Sequence, residues 1–406
     1  MVVHSLSRFR KLKPRAPFRL GGEYLRHGEQ HFLTDAEGMI ELKGYEELFR
    51  GLNPGDLATA QVIDAAEFEV QIDQIRVEFR CVGNQNKPNR PHVSRFSAFV
   101  TRLRDYFLEQ GLNEVFTPSL VKCPGLEPTL EAFSTEIVYG RKKAQAYLPT
   151  SPEIHLKKAL ARGYTDIFEI KSCYRRGESS AHHEPEFLML EWYRGFADLE
   201  MIIADLQDLV AQLTLEGWIE GRASKILVTD FATLFRDMLD FELTPDTSEK
   251  DLRRLCSELD IHCTADDSFN DLFHRLMIDR IEPQLATMGP VIVRRFPPSQ
   301  AALAKLDAEG WADRFEFYWQ GLEIANAFNE VNDADEQKQR WLDELEERRR
   351  IGTGELPMDQ DLIEALKKGI PPTGGIAMGV ERLYMACAGV RDIKELRLFS
   401  AMDLLV

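Results

Sequence analysis

The sequence predicts an α+β protein in two parts, a small all-β domain followed by a larger domain that mixes helices and strands. Three observations predict this. Residues 18–80 break into short alternating runs (FRLGGEYLRH, QHFLTD, GMIELKG, DLATAQVID, EFEVQIDQIRVEF) between Gly, Asn-Pro-Gly and Asp-Ala turns, the pattern of a small β-barrel or sandwich. GNQNKPNRP (83–91) is polar and proline-containing, as a linker is. Beyond it, helical stripes alternate with apolar strands.

In chain order, residues 1–17 form a basic flexible tail with no apolar run of the secretory type. Residues 18–82 are the β domain, 83–91 the linker and 92–406 the second domain. In 93–111, Phe96, Phe99, Val100, Leu103 and Phe107 lie on one helical stripe and Gly111 closes the helix. Further helices fit 152–162, 199–216, 247–259 and 335–350; strands fit 165–174, 187–194, 289–296 and 314–328.

Composition narrows the function. The chain has 406 residues with 44% hydrophobic and 29% charged content, as soluble globular proteins do, and no apolar run near the roughly 20 residues of a membrane span. A net charge of −17 argues against a broad nucleic-acid surface and favours, by steering, a basic protein partner. The six cysteines make no CxxC pair and no zinc spacing, which fits reduced thiols in the cytoplasm.

Five segments carry chemistry: EVFTPSL (114–120), TSPEIHLKKAL (150–160), CYRRGESSAHHEPEFLMLEWY (173–193), GLEIANAFNEVNDADEQ (321–337) and GGIAMGVERL (374–383). Thr150 or Ser151 can cap a helix whose first turn holds Pro152 and Glu153. In 187–193, alternation puts Leu188, Leu190 and Trp192 on a core face, and Phe187, Met189, Glu191 and Tyr193 on the other. That second face is either a solvated face or the floor of a polar pocket. Arginine suits planar phosphate contacts, so Arg175 before a returning Phe187 would pair a guanidinium with a stacking ring. Glu323 and Glu330 stand in an apolar strand, where unpaired carboxylates are costly, and a cation such as magnesium is expected. Seven apart, they fall on opposite faces unless a bulge or bend near Asn326–Ala327 brings them together. The glycine-rich strand before Arg382 lets a ligand approach the backbone.

Together and in this order, these segments resemble motifs 1, 2 and 3 of class II aminoacyl-tRNA synthetases of the lysyl branch. Motif 1 is the helix 93–111 with 114–118, motif 2 the 174–193 hairpin and motif 3 the 374–383 turn. Within that branch, residues from about 92 onward resemble the elongation factor P–(R)-β-lysine ligase family, a shortened lysyl-tRNA synthetase paralogue. The resemblance implies a class II synthetase-like antiparallel sheet with flanking helices, preceded here by an OB-like barrel. It also implies ATP and Mg2+. Arg175, Glu178, His183, Glu184, Phe187, Glu323, Ile324, Gly379 and Arg382 would bind ATP. Ser151, Pro152, Glu153, Glu191, Tyr193, Asn326, Glu330 and Ala377 would bind the amino acid. Arg175, Arg382, Glu323 and Glu330 would be catalytic, the two glutamates holding the metal.

Two departures stand out. The family hairpin begins Arg-x-Glu, whereas here it reads Arg175-Arg176-Gly177-Glu178, so the motif arginine is Arg175 or Arg176. The family's ligases also lack an N-terminal barrel. The implied activity is transfer of (R)-β-lysine or lysine, through an adenylate, to a lysine of elongation factor P, by a homodimer joined through motif 1. The alternative is a reduced synthetase charging tRNA(Lys). Ala377, where lysyl-tRNA synthetases have glycine, and the acidic chain weigh against tRNA. A catalytically silent paralogue is disfavoured by the presence of Glu153, Glu323, Glu330 and Arg382.

Overall fold

A computed structural model describes residues 3–5, 18–27, 29–35, 38–53, 56–65, 69–79, 92–219 and 225–404. Its contacts divide the chain into two compact units, residues 1–95 and 96–406.

The first unit contains β1 (Val3–Ser5), β2 (Phe18–His27), β3 (Gln30–Asp35), β4 (Gly38–Lys43), β5 (Leu57–Ala65) and β6 (Glu69–Phe79). The strands run in the order β1-β2-β3-β4-β6-β5, and β5 pairs back onto β2, so the sheet closes into an OB-like barrel. Alternation turns Leu20, Leu33, Ile40, Leu42, Val62 and Ile72 into its core. The tail expectation is corrected in part: Val3–Ser5 pair in parallel with Arg19–Gly21 and extend the sheet. Residues 6–17 and the expected linker 83–91 lie outside the described residues.

The second unit runs α1 (Val93–Glu109), β7 (Asn113–Glu114), β8 (Ser134–Tyr139), β9 (Lys142–Tyr147), α2 (Glu153–Leu160), β10 (Asp166–Tyr174), β11 (Glu186–Gly195) and α3 (Leu199–Leu215). It continues with β12 (Leu227–Asp230), α4 (Phe231–Leu239), α5 (Glu249–Glu258), α6 (Phe269–Leu276), α7 (Glu282–Leu285), β13 (Val291–Phe296), β14 (Ala312–Trp319) and β15 (Leu322–Asn329). Last come α8 (Ala334–Ile351), α9 (Gln360–Lys368), β16 (Thr373–Gly379) and α10 (Val380–Ala388). One sheet, ordered β12-β13-β14-β15-β16-β11-β10-β7, organises the unit. It is antiparallel except for the β12–β13 and β7–β10 pairs. Leu190, Trp192, Ile376 and Met378 on one face pack against Phe99, Leu103 and Phe107 of α1 and against α3 and α10. The residues between them point the other way, towards α2, α8 and α9. A second core joins α4–α7 to β13. Among the described residues no helix is long and apolar enough to cross a membrane.

The expected single strand 314–328 is a hairpin. Gln320 (φ 52°) and Gly321 (φ 76°) both take left-handed conformations, the requirement of a two-residue turn that matches strand twist. Continuous apolar alternation through 315–319 and 322–327 hides that turn in the sequence.

Candidate active site

Register builds the site before any side chain is considered. Across the sheet, Glu169 on β10 lies opposite Glu191 on β11, Glu191 opposite Ala377 on β16, Ala377 opposite Asn326 on β15, and Asn326 opposite Glu316 on β14. Opposed residues share a face, so one row carries three carboxylates and an amide with an alanine between them. Above it opens a cavity of about 480 Å³, lined among others by Ser151, Glu153, Arg175, Phe187, Glu191, Asn326, Ala377 and Arg382. Glu191 is therefore floor, not solvated surface.

At one end of the cavity, Arg175 and Phe187 meet as the hairpin pattern predicts. The guanidinium carbon lies 5.1 Å from the ring centroid, a cation–π contact, and Arg175 N donates to Pro185 O at 2.9 Å to close the loop. Arg176 points away, donating its backbone N–H to Glu131 O at 2.8 Å and standing outside the cavity wall. Of the two arginines, Arg175 is the one that lines the cavity. Arg382 donates to Glu323 O at 2.8 Å and contacts His183 Nε2, while Ser180 Oγ lies 2.8 Å from His183 Nδ1. Burial first and Arg382 second lower the His183 pKa, so its ring stays neutral beside the guanidinium. Glu178, Glu184, Ile324 and Gly379 also line the cavity. Glu184 caps the C-terminal segment, its Oε2 accepting Ala401 N at 2.8 Å, while its Oε1 is buried without a partner.

At the other end, α2 starts at Glu153 with Pro152 preceding it; no side chain caps it. The expected cap by Thr150 or Ser151 is absent; Thr150 Oγ1 instead donates to Pro124 O at 2.7 Å. Pro152 is buried behind the wall. Glu191, about 1% exposed, accepts from Tyr193 OH at 3.0 Å and has no cation at ion-pair distance among the described residues. Loss of hydration, then the charges of Glu153 and Glu330, push its pKa well above the usual carboxylate range.

The expected Glu323–Glu330 metal pair needs a bulge or bend near Asn326–Ala327. A bulge does occur, but at Ile324: β14–β15 pairing shifts from Phe317↔Ala325 to Tyr318↔Glu323. The extra residue puts Glu323 on the face of Glu316 and Asn326. Glu330, on the same face but beyond Asn326, is ion-paired to Lys157 at 2.7 Å, and Lys157 also donates to Glu153 at 2.6 Å. Glu330 and Tyr193 thus stand behind the wall rather than in it. Gly375 makes room for them, since a Cβ there would lie 2.3 Å from Glu330 Oε1 and 2.6 Å from the Tyr193 ring. Burial alone would lower the Lys157 pKa; Glu153 and Glu330 instead hold its ammonium charged, above the usual lysine value.

Glu323 keeps water access at the cavity mouth, yet the protein crowded around it raises its pKa, with Glu316 the next cause and Arg382 opposing. Glu316 is held by Arg314 and by the Tyr318 hydroxyl. Among the described residues no group of three or more His, Cys, Asp or Glu is arranged to hold a metal alone. Magnesium needs only one or two carboxylates when phosphates supply further oxygens, and Glu316 with Glu323 meets that condition.

Sequence reasoning missed Glu316, Lys157, Glu127 and Glu344. Glu316 was hidden by the unseen hairpin. Lys157 carried a signal, its i+4 spacing from Glu153 on a helix. Glu127 and Glu344 carried none.

Residues 73–403 match the family model "tRNA synthetases class II (D, K and N)". The chain is 34% identical over 312 residues to an elongation factor P–(R)-β-lysine ligase of Photorhabdus laumondii subsp. laumondii, covering 75% of this chain and 93% of the relative. It is 34% identical over 320 residues to a protein of that name from Mannheimia succiniciproducens, covering 77% and 97%. A third, from Pectobacterium atrosepticum, is 35% identical over 313 residues, covering 75% and 93%.

Proposed function

Since the chain belongs to the class II tRNA synthetase family, and within it to the elongation factor P–(R)-β-lysine ligases, we propose that it activates a lysine-type amino acid with ATP and transfers it to a lysine of elongation factor P. The observation that carries this reading is Glu191: a buried carboxylate, with no cation at ion-pair distance among the described residues, on the floor of a cavity whose other end presents Arg175 stacked on Phe187. A cationic side chain neutralises the first, and a nucleotide fits the second.

In the first step the substrate carboxylate attacks the α-phosphorus and pyrophosphate leaves, giving an adenylate. Phe187 would stack on adenine, Arg175 would neutralise the α-phosphate and orient the attacking carboxylate, and Arg382 would sit on the nucleotide's phosphates. Ser151 and Glu153 would hold the amine nearest the carboxylate, with Glu191, braced by Tyr193, taking the side-chain amine. Glu330 would act through Lys157, and Asn326 and Ala377 would shape the floor between. Such catalysis is chiefly positioning and charge neutralisation. Magnesium, held by Glu316 and Glu323, would supply positive charge to the phosphates. In the second step an acceptor amine displaces AMP.

Exposed Phe116 and Leu120, just after β7, support a homodimer through this surface. A tRNA acceptor is the second reading, favoured by the closed barrel of the first unit; residues 1–72 lie outside the family match. The acidic chain and Ala377 weigh against it. ATP–pyrophosphate exchange dependent on lysine or (R)-β-lysine tests the activation step, and exchange indifferent to both amino acids would refute it.

A further inference from the structure

The cavity wall carries more negative charge than the amino acid requires. Glu153 and Glu191 on the wall, with the Lys157–Glu330 pair offsetting itself behind it, leave two negative charges, which the two ammonium groups of a lysine-type substrate match. Beside Glu153 the same wall adds Glu127 and Glu344, neither with a cation at ion-pair distance among the described residues.

Their placement is built. Arg348, one turn beyond Glu344 on α8 and about 1% exposed, donates to Glu127 O at 2.7 Å and Leu130 O at 2.9 Å, and to Thr353 O and Gly354 O behind. That fixes the 127–130 loop against α8. Gly125 (φ 135°) lets it fold close: a Cβ there would lie 2.5 Å from Glu127 Oε2. Independently, Glu191 on the same cavity is buried with no cation at ion-pair distance among the described residues, an arrangement that favours a cationic ligand in this space. The acceptor lysine is one more cation, and it must lose a proton before it can attack.

We infer that Glu344, on the same wall as Glu127, is the proton acceptor for the incoming lysine ammonium in the transfer step, a residue set apart from those that bind the amino acid. This rests on the adenylate-forming reading above. The acceptor ammonium gives one proton to the Glu344 carboxylate, and the freed lone pair forms the N–C bond to the adenylate carbonyl carbon. The C–O bond to the phosphate breaks, and AMP leaves with that electron pair and the second nitrogen proton.

The surroundings suit the task. Burial, then the charges of Glu127 and Glu153, raise the Glu344 pKa to about 8, while Lys157 and Arg340 oppose them. Burial and Glu153 raise Glu127 as well, against Arg175 and Arg348. A base with a pKa near working pH combines proton affinity with availability.

The test separates ammonium acceptors from a nucleophile that is already neutral. With Glu344→Gln, adenylate formation is read by ATP–pyrophosphate exchange, transfer by single-turnover labelling of elongation factor P, and adenylate reactivity by capture with hydroxylamine, which is largely unprotonated at pH 7. The inference predicts that transfer to the protein falls about a hundredfold, the scale of a lost general base. It also predicts loss of the pH-dependent rise in transfer, with hydroxylamine capture and exchange each kept within about threefold. Equal losses in capture and transfer would make Glu344 an amino-acid positioning residue and overturn the inference. Unchanged transfer would overturn it too. Absence of exchange in the unsubstituted protein would instead reject the underlying reading.

Discussion

Lys157 Nζ lies 2.7 Å from Glu330 Oε2, and both side chains are about 1% exposed. An internal lysine thus sits behind the wall where a lysine-type substrate is expected, holding Glu330 and Glu153 in place. Removing one partner of a buried pair leaves an uncompensated charge and costs about 3–5 kcal/mol, whereas replacing both with apolar groups can be nearly neutral. Lys157→Met should lower unfolding stability by that amount in urea titrations. Adding Glu330→Leu should recover much of the loss. A Lys157→Met protein as stable as the parent would show the pair to be incidental.

The metal assignment predicts a split among three glutamates. Glu316→Gln and Glu323→Gln should each shift the magnesium dependence of pyrophosphate exchange to higher concentration and reduce its maximum at least tenfold. Glu330→Gln should leave the magnesium midpoint in place and act on the amino-acid KM. A shifted midpoint only in Glu330→Gln would return the metal to the pair first expected from the sequence.

Arg397 predicts a positioning effect. It donates to Glu186 O at 2.9 Å and pairs with Glu381, whose two oxygens accept Leu188 N at 3.1 and 3.0 Å. This ties the C-terminal segment to Glu381, the neighbour of Arg382, and to Leu188, the neighbour of Phe187. Losing a charged hydrogen bond costs about 1.5–3 kcal/mol. Arg397→Ala should raise the KM for ATP several-fold with little effect on that for the amino acid, and Arg397→Lys should restore part of it. An equal rise in both KM values would count against the brace.

Stability should vary with pH through Glu344. Its folded pKa, about 8, is raised above the unfolded value near 4.3, so the folded state binds the extra proton. Stability from this group is full below about pH 4.3 and is lost as pH rises towards 8. Water reaching the half-exposed side chain reduces the size of the loss but not its sign. Glu344→Gln should match the parent below about pH 4.3 and be the more stable at pH 8 in thermal unfolding. A difference that grows towards low pH would be the wrong sign.

The sequence made the central hairpin legible because its chemistry is local. Alternation alone put Phe187, Met189 and Glu191 on the cavity face and Leu190 and Trp192 in the core. The barrel strands were readable for the same reason, and the order of the five segments pointed to the family. The rest depends on register and on partners distant in sequence. One extra residue at Ile324 decides which glutamate Glu323 faces, and unbroken apolar alternation conceals both it and the turn at Gln320–Gly321. Glu344 stands on a highly charged helix that reads as solvated, and only the grip of Arg348 on the 127–130 loop reveals what that helix covers. Pairing of Val3–Ser5 with β2 is likewise a tertiary choice that a basic segment does not announce.

The most direct test of the account is one labelling reaction. The protein is incubated with ATP, magnesium, labelled lysine or (R)-β-lysine, elongation factor P and tRNA(Lys) together, and the products are separated. The account predicts label on elongation factor P, lost when its acceptor lysine is replaced, and tRNA(Lys) left essentially uncharged. Efficient charging of tRNA(Lys) with unlabelled elongation factor P would contradict it.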